Sequence, residues 1–187
     1  MGMFDWVLGR SRPPAADLDA LFAVPQAAVT LQTQGFTPTG QGAVCYRSGE
    51  GAAFAASEQQ AEQLVATDGS SVDKSDDTYG FRWMSVTRAG ADVSGLVTDL
   101  HAINTSLKDA GFDHTLLCST VTFTTADGKP MALVYAYKRG TFYPFVPTGE
   151  NRRDNAVELQ IRGIVAEDLA VEPELANWFA IWGAPGL

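Results

Sequence analysis

Cysteine, basic charge and long apolar runs are all scarce in this sequence, and each scarcity closes off a class of function. There are only two cysteines in 187 residues, Cys45 and Cys118, far apart along the chain and without CxxC spacing. Such usage argues against a zinc site and against a secreted disulfide scaffold, and points to a reducing compartment. Lysine and arginine number 13 against 22 aspartates and glutamates, for a net charge of -9, and the basic residues are scattered in ones and twos. Binding to a phosphate backbone depends on neutralisation by Lys and Arg, so nucleic acid is not an expected partner. No apolar stretch approaches the roughly 20 residues needed to cross a bilayer, and the opening MGMFDWVLGR does not resemble a secretory signal. The expected location is the cytoplasm, with at most partner-dependent, peripheral attachment at the inner face of the cell membrane.

The signatures of common active sites are missing as well. GxxxxGK[ST], a complete GxGxxG after a strand, GxSxG and HExxH do not occur. Asp68, Asp73, Asp76 and Asp77 crowd a polar stretch, TDGSSVDKSDDT, but lack the order of an EF-hand with its central Gly and terminal Glu; the stretch reads as an exposed acidic loop. A thiol nucleophile needs an activating base, so Cys118 with nearby His114, or the more remote His101, is the one Cys-His candidate. An unpaired cysteine is ordinarily a small buried hydrophobe. No catalytic residue, cofactor site or metal site is assigned, and the expectation is a protein that is not an enzyme.

What is present is a chain long enough to bury a core without staples. It divides into an apolar and basic tag with a Pro-Pro linker over residues 1–14, and a single α+β domain over 15–187 that ends in a Trp-containing tail. Asp17 caps a brief helix with Leu18, Leu21 and Phe22, limited by Pro25, and the following AVTLQT reads as a strand. GAVCYR is a second strand, Phe54 to Val65 a helix, and FRWMSVTR a third strand. The strongest helix carries Leu96, Leu100, Ile103, Leu107 and Ala110 at steps of four and three, with Gly111 as its stop. Leu116 to Thr125 then forms a hairpin through Asp127-Gly128, with MALVYAYKRGTFYPF as the returning partner. AVELQIRGIV alternates like a strand but shares a helical face, and the reading is a helix from near Asp154; Pro173 opens a last short helix with Leu175, Trp178 and Phe179. The predicted fold is α+β, a mainly antiparallel sheet of about five strands with helices packed largely on one face.

Three segments are candidates for binding other proteins. Phe4, Trp6 and Leu8 give the tag an apolar side beside Arg10 and Arg12. YAYKRGTFYPFVP joins Lys138 and Arg139 to Phe142, Tyr143 and Phe145, and its alternation equally suits a strand beneath a helix. WFAIWGAPGL offers Trp178 and Trp182 either as pins for the tail or as a dock.

Taken together, MGMFDWVLGR, LDALFAVPQAAVTLQ, SGLVTDLHAINTSLKDAGF, YAYKRGTFYPFVPTG, RRDNAVELQ and WGAPGL resemble the PspA-associated PspAB family over nearly the whole chain. The resemblance implies an actinobacterial or archaeal accessory factor of the phage-shock envelope-stress response. It places the chain in a pathway with PspA, and with an HtpX-type membrane protease, through genomic association. It carries no catalytic residues over. The expected function is that of a non-catalytic adaptor acting by protein-protein contacts; the alternatives are a small-ligand-sensing module and a small enzyme with its site near Cys118.

Overall fold

The computed structural model describes residues 17–66 and 69–187. The N-terminal tag, with its candidates Phe4, Trp6 and Leu8, lies outside the described residues. The Asp17 carboxylate accepts from the Asp19 N–H at 3.1 Å and starts a 3-10 turn over Leu18–Ala23. That turn runs directly into helix α1, Val24–Thr33. AVTLQT is therefore helical, not the expected strand. Pro25 sits at the first positions of α1, where a missing N–H costs nothing, so it opens a helix instead of limiting one. Val24, Ala27, Ala28 and Leu31 then bury one face at helical spacing, which overrides the β-branched local preference.

Strand β1, Thr37–Arg47, leads to α2, Ala52–Ala66, and to the hairpin of β2, Ser71–Asp76, with β3, Phe81–Thr87. β2 occupies the stretch expected to be an acidic loop. It is an edge strand with polar side chains, held by its backbone ladder to β3, so it shows no apolar alternation to betray it. Helix α3, Val93–Leu107, is capped by Asp92 and ends in a wider turn, Lys108–Phe112, where Gly111 takes φ +88°. The hairpin of β4, Leu116–Thr124, with β5, Pro130–Ala136, follows. The expected single returning strand is in fact two, because the chain turns at 137–140 and comes back as β6, Thr141–Phe145, with Gly140 at φ +67°. A small ribbon, β7, Pro147–Gly149, and β8, Arg152–Arg153, precedes α4, Asn155–Val165, which starts after Asp154 as expected. The last helix is a single 3-10 turn, Leu175–Asn177, with Trp178 and Phe179 beyond it.

The main sheet has six strands in the order β2-β3-β1-β4-β5-β6, every pairing antiparallel. The fold is α+β. Alternate residues separate its two faces. Val44 and Tyr46 of β1, Met84 and Val86 of β3, and Leu133 and Tyr135 of β5 face a large core with the apolar sides of all four helices. Leu96, Leu100, Ile103 and Leu107 of α3 lie at its centre, fully buried. Gly42 allows that approach: a Cβ there would stand 2.5 Å from the Thr120 carbonyl and 3.0 Å from Leu100 Cδ1.

The opposite face carries Ala43, Cys45, Trp83, Cys118, Ala132, Val134, Tyr143 and Phe145. No helix covers it. The C-terminal tail crosses it, with Trp178, Ile181, Trp182 and Ala184 packed down. Helices on one face leave the other face to irregular chain, and that is where the sheet keeps unfilled space.

Candidate functional site

The tail is held by specific polar contacts as well as by its aromatic rings. The Arg153 guanidinium donates from Nε to both oxygens of Glu158, at 2.8 and 2.9 Å, and from Nη1 to the Trp178 carbonyl at 2.7 Å. It also stands 5.0 Å over the Phe145 ring. Glu158 is buried at the start of α4 and also accepts from the Val146 N–H at 2.9 Å. Burial outweighs these donors and holds its carboxyl above the ordinary glutamate value. Glu172 makes a second anchor, accepting from Thr141 Oγ1 at 2.9 Å and Asn177 Nδ2 at 3.1 Å, while Trp178 Nε1 donates to its carbonyl at 3.0 Å. Trp178 stacks on Tyr143, and Trp182 meets Phe145 edge-on.

Between this tail and the sheet lies a cavity of about 880 Å³. Its floor follows from strand register. Cys45 of β1 lies opposite Cys118 of β4, which lies opposite Ala136 of β5. Three small side chains in one row across the sheet leave a trench, walled by Trp83 on the β3 side and Tyr143 on the β6 side, and roofed by Phe179, Ile181 and Trp182. Two residues further along β1, and two beyond Ala136, Arg47 and Lys138 frame one end of the trench, joined by Arg139. Tyr79 and Phe179, 62% and 59% exposed, are large apolar groups left at the mouth.

The two cysteines, remote in sequence, are thus neighbours in space, and both are free thiols. The contact with Cys118, followed by burial, pushes the Cys45 thiol far above its ordinary value. A thiol so displaced stays protonated at neutral pH and is a poor nucleophile. The structure brings neither histidine to this cavity. His114 is exposed beside Asp113, and His101 pairs with Asp19 at 2.9 Å on the helical side. Among the described residues no group of three or more His, Cys, Asp or Glu side chains is placed to hold a metal ion.

Of the other sequence-derived candidates, Lys138 and Arg139 are exposed on the β5–β6 turn, and Trp182 is half-buried. Phe142, Tyr143, Phe145 and Trp178 are buried in the chain's own fold. Tyr143 and Phe145 face the tail, whereas Phe142 joins the helical core. Arg47, Asp77, Tyr79 and Trp83 belong to the cavity but carry no motif; the pairing of β1 with β3 and the turn between β2 and β3 gather them.

Two further polar groups serve the fold. The Tyr46 hydroxyl donates to buried Glu58 at 2.8 Å, and Arg82 bridges Glu58 at 3.2 Å and Asp76 at 2.7 Å, tying α2 to the sheet edge. Arg88 pairs with buried Asp99 at 2.6 Å, and Ser70 Oγ donates to the same carboxylate at 2.7 Å.

With this geometry established, the chain can be placed among known proteins. A family model described as PspAB, PspA associated protein B, matches residues 1–186. The chain belongs to this family. No curated protein and no solved structure matches it. The PspAB name associates the family with PspA, which is consistent with an accessory role. In this PspAB chain no helix among the described residues is long and apolar enough to cross a membrane.

Proposed function

We propose that this PspAB protein is a non-catalytic adaptor of the PspA-linked envelope-stress response and acts by direct contact with PspA or another component of that assembly. The observation that carries this reading is the family match over residues 1–186. Two features of the molecule agree with it. The cysteine pair lies in a cavity without a histidine, with the Cys45 thiol held protonated. Lys138 and Arg139 stand out on a turn of a chain with net charge -9, where they present a local positive field to an acidic partner surface. The apolar tag at Phe4, Trp6 and Leu8 is the second proposed contact, and any residence at the membrane follows from the partner.

The test is binding of the purified chain to purified PspA from the same cell, measured calorimetrically. Charge reversal at both Lys138→Glu and Arg139→Glu, and separately deletion of residues 1–12, should each weaken binding at least about tenfold, a change of about 1.4 kcal/mol. Circular dichroism should stay unchanged. Absence of binding both to PspA and to the other components of that assembly, or binding indifferent to both changes, defeats the adaptor reading.

A further inference from the structure

The cavity beneath the C-terminal tail has the composition of a ligand site. We propose that it binds one anionic amphiphile, a single alkyl chain lying in the trench over Cys45, Cys118 and Ala136 with its acidic head between Arg47 and Lys138. This inference stands apart from the adaptor reading, since it concerns the isolated chain and needs no partner.

Volume and lining speak for the chain of the ligand. About 880 Å³ falls within the range of small-molecule sites. The floor is made of thiols and a methyl group, the walls of Trp83, Leu117 and Tyr143, and the roof of Phe179, Ile181 and Trp182. A trench one small side chain deep and bounded by two aromatic walls admits a linear chain. It is a concave slot under a strap of protein, and so suits a single molecule taken from solution in preference to a bilayer surface.

Charge speaks for the head. Arg47, Lys138 and Arg139 line a single cavity of a chain that carries 13 basic residues against 22 acidic ones. Arg139 leans toward Glu172 at 3.9 Å, whereas Arg47 and Lys138 have no ion-pair partner among the described residues. Asp77 is the acidic residue of the lining, and its oxygens are occupied: they accept from the Tyr79 and Phe81 N–H groups at 2.8 and 3.0 Å and from Trp83 Nε1 at 3.1 Å.

A third observation is independent of both. Tyr143 is only 3% exposed, yet its hydroxyl has no hydrogen-bond partner among the described residues, and the residue lines this cavity. The sole buried side-chain nitrogen or oxygen without both partner and solvent access among the described residues is Asn104 Oδ1, so the Tyr143 hydroxyl retains access to solvent. The Tyr143 hydroxyl is thus an unengaged donor on a residue of the cavity lining, available to an acceptor bound there.

The experiment is titration of the full-length chain, stripped of bound amphiphiles, with palmitate and with hexadecyl phosphate below their micelle concentrations. Trp83 and Trp182, which line the site, report binding through their fluorescence. Saturable binding of palmitate or hexadecyl phosphate is expected, with hexadecanol binding at least tenfold more weakly. The double change Arg47→Glu and Lys138→Glu should weaken the acids at least tenfold while leaving hexadecanol nearly unaffected. Tyr143→Phe should weaken them severalfold, and Ala136→Phe, which fills the trench, should abolish binding. Should Ala136→Phe fail to fold, the surface charge reversal still decides the matter. No saturable binding, equal binding by the charge-reversed chain, or binding only to vesicles of anionic phospholipid overturns the proposal. None of these outcomes bears on contact with PspA, which is measured without amphiphile.

Discussion

Arg153 holds the carbonyl of Trp178 at 2.7 Å with one guanidinium nitrogen while its Nε grips the buried carboxylate of Glu158. One side chain thereby fastens the C-terminal tail to both the start of α4 and the uncovered face of the sheet. Arg153→Met removes the tail's clamp and strands Glu158 among apolar neighbours. Removing one member of a buried pair costs about 3 kcal/mol or more, so the urea midpoint should fall accordingly, with a change in Trp fluorescence. Adding Glu158→Gln should recover part of the loss, because no charge is then left unpaired. A midpoint unmoved by Arg153→Met would show that the tail is held by its aromatic packing alone.

The α3 stripe makes a second prediction. Ile103 and Leu107 are both fully buried where the helix meets the sheet. Truncation of such residues leaves a cavity that the surroundings cannot fill, so Ile103→Ala and Leu107→Ala should each destabilise by about 2 to 5 kcal/mol in chemical unfolding. Losses below about 0.5 kcal/mol for both would remove α3 from its central role.

Alkaline pH should unfold the protein more readily than its acidic composition suggests. Burial pushes Tyr46, Tyr137 and Tyr143 well above the ordinary value of 10.0, and Tyr135 up to about 12. Cys45 is displaced in the same direction, from 9.0, first by Cys118 and then by burial. Each group is protonated in the folded chain at a pH where the unfolded chain has lost its proton. The stabilisation is therefore complete below about pH 9 and drains away as pH climbs through 9 to 10 and beyond. Thermal midpoints measured from pH 7 to 11 should be level at first and then fall steeply, and Tyr46→Phe should soften the fall. A flat profile up to pH 11 would contradict the burial of these hydroxyls.

Several elements were legible because their information is local. The stripe Leu96, Leu100, Ile103 and Leu107, the Asp127-Gly128 turn and the helix start at Asp154 each depend on residues close in sequence, and each takes its expected form, although the stripe stops at Leu107 and Ala110 lies exposed in the wider turn. Where tertiary context decides, local reading failed. AVTLQT packs as a helix because the core offers its Ala27, Ala28 and Leu31 side a place, and β2 exists because the edge of β3 supplies backbone partners to a polar segment.

Composition and motif content by themselves determined that the chain is acidic, poor in cysteine, built as α+β, and without a recognised catalytic signature. Its sequence blocks also determined the PspAB family. What only the tertiary structure decided is the meeting of Cys45 with Cys118 and Ala136 in one row, the framing of that row by Arg47 and Lys138, and the strap of tail above it. The physical reason is that antiparallel register pairs residues at separations unrelated to any local period: Cys45 and Cys118 are opposite one another only because α2, β2, β3 and α3 intervene in sequence while β1 and β4 are neighbours in the sheet.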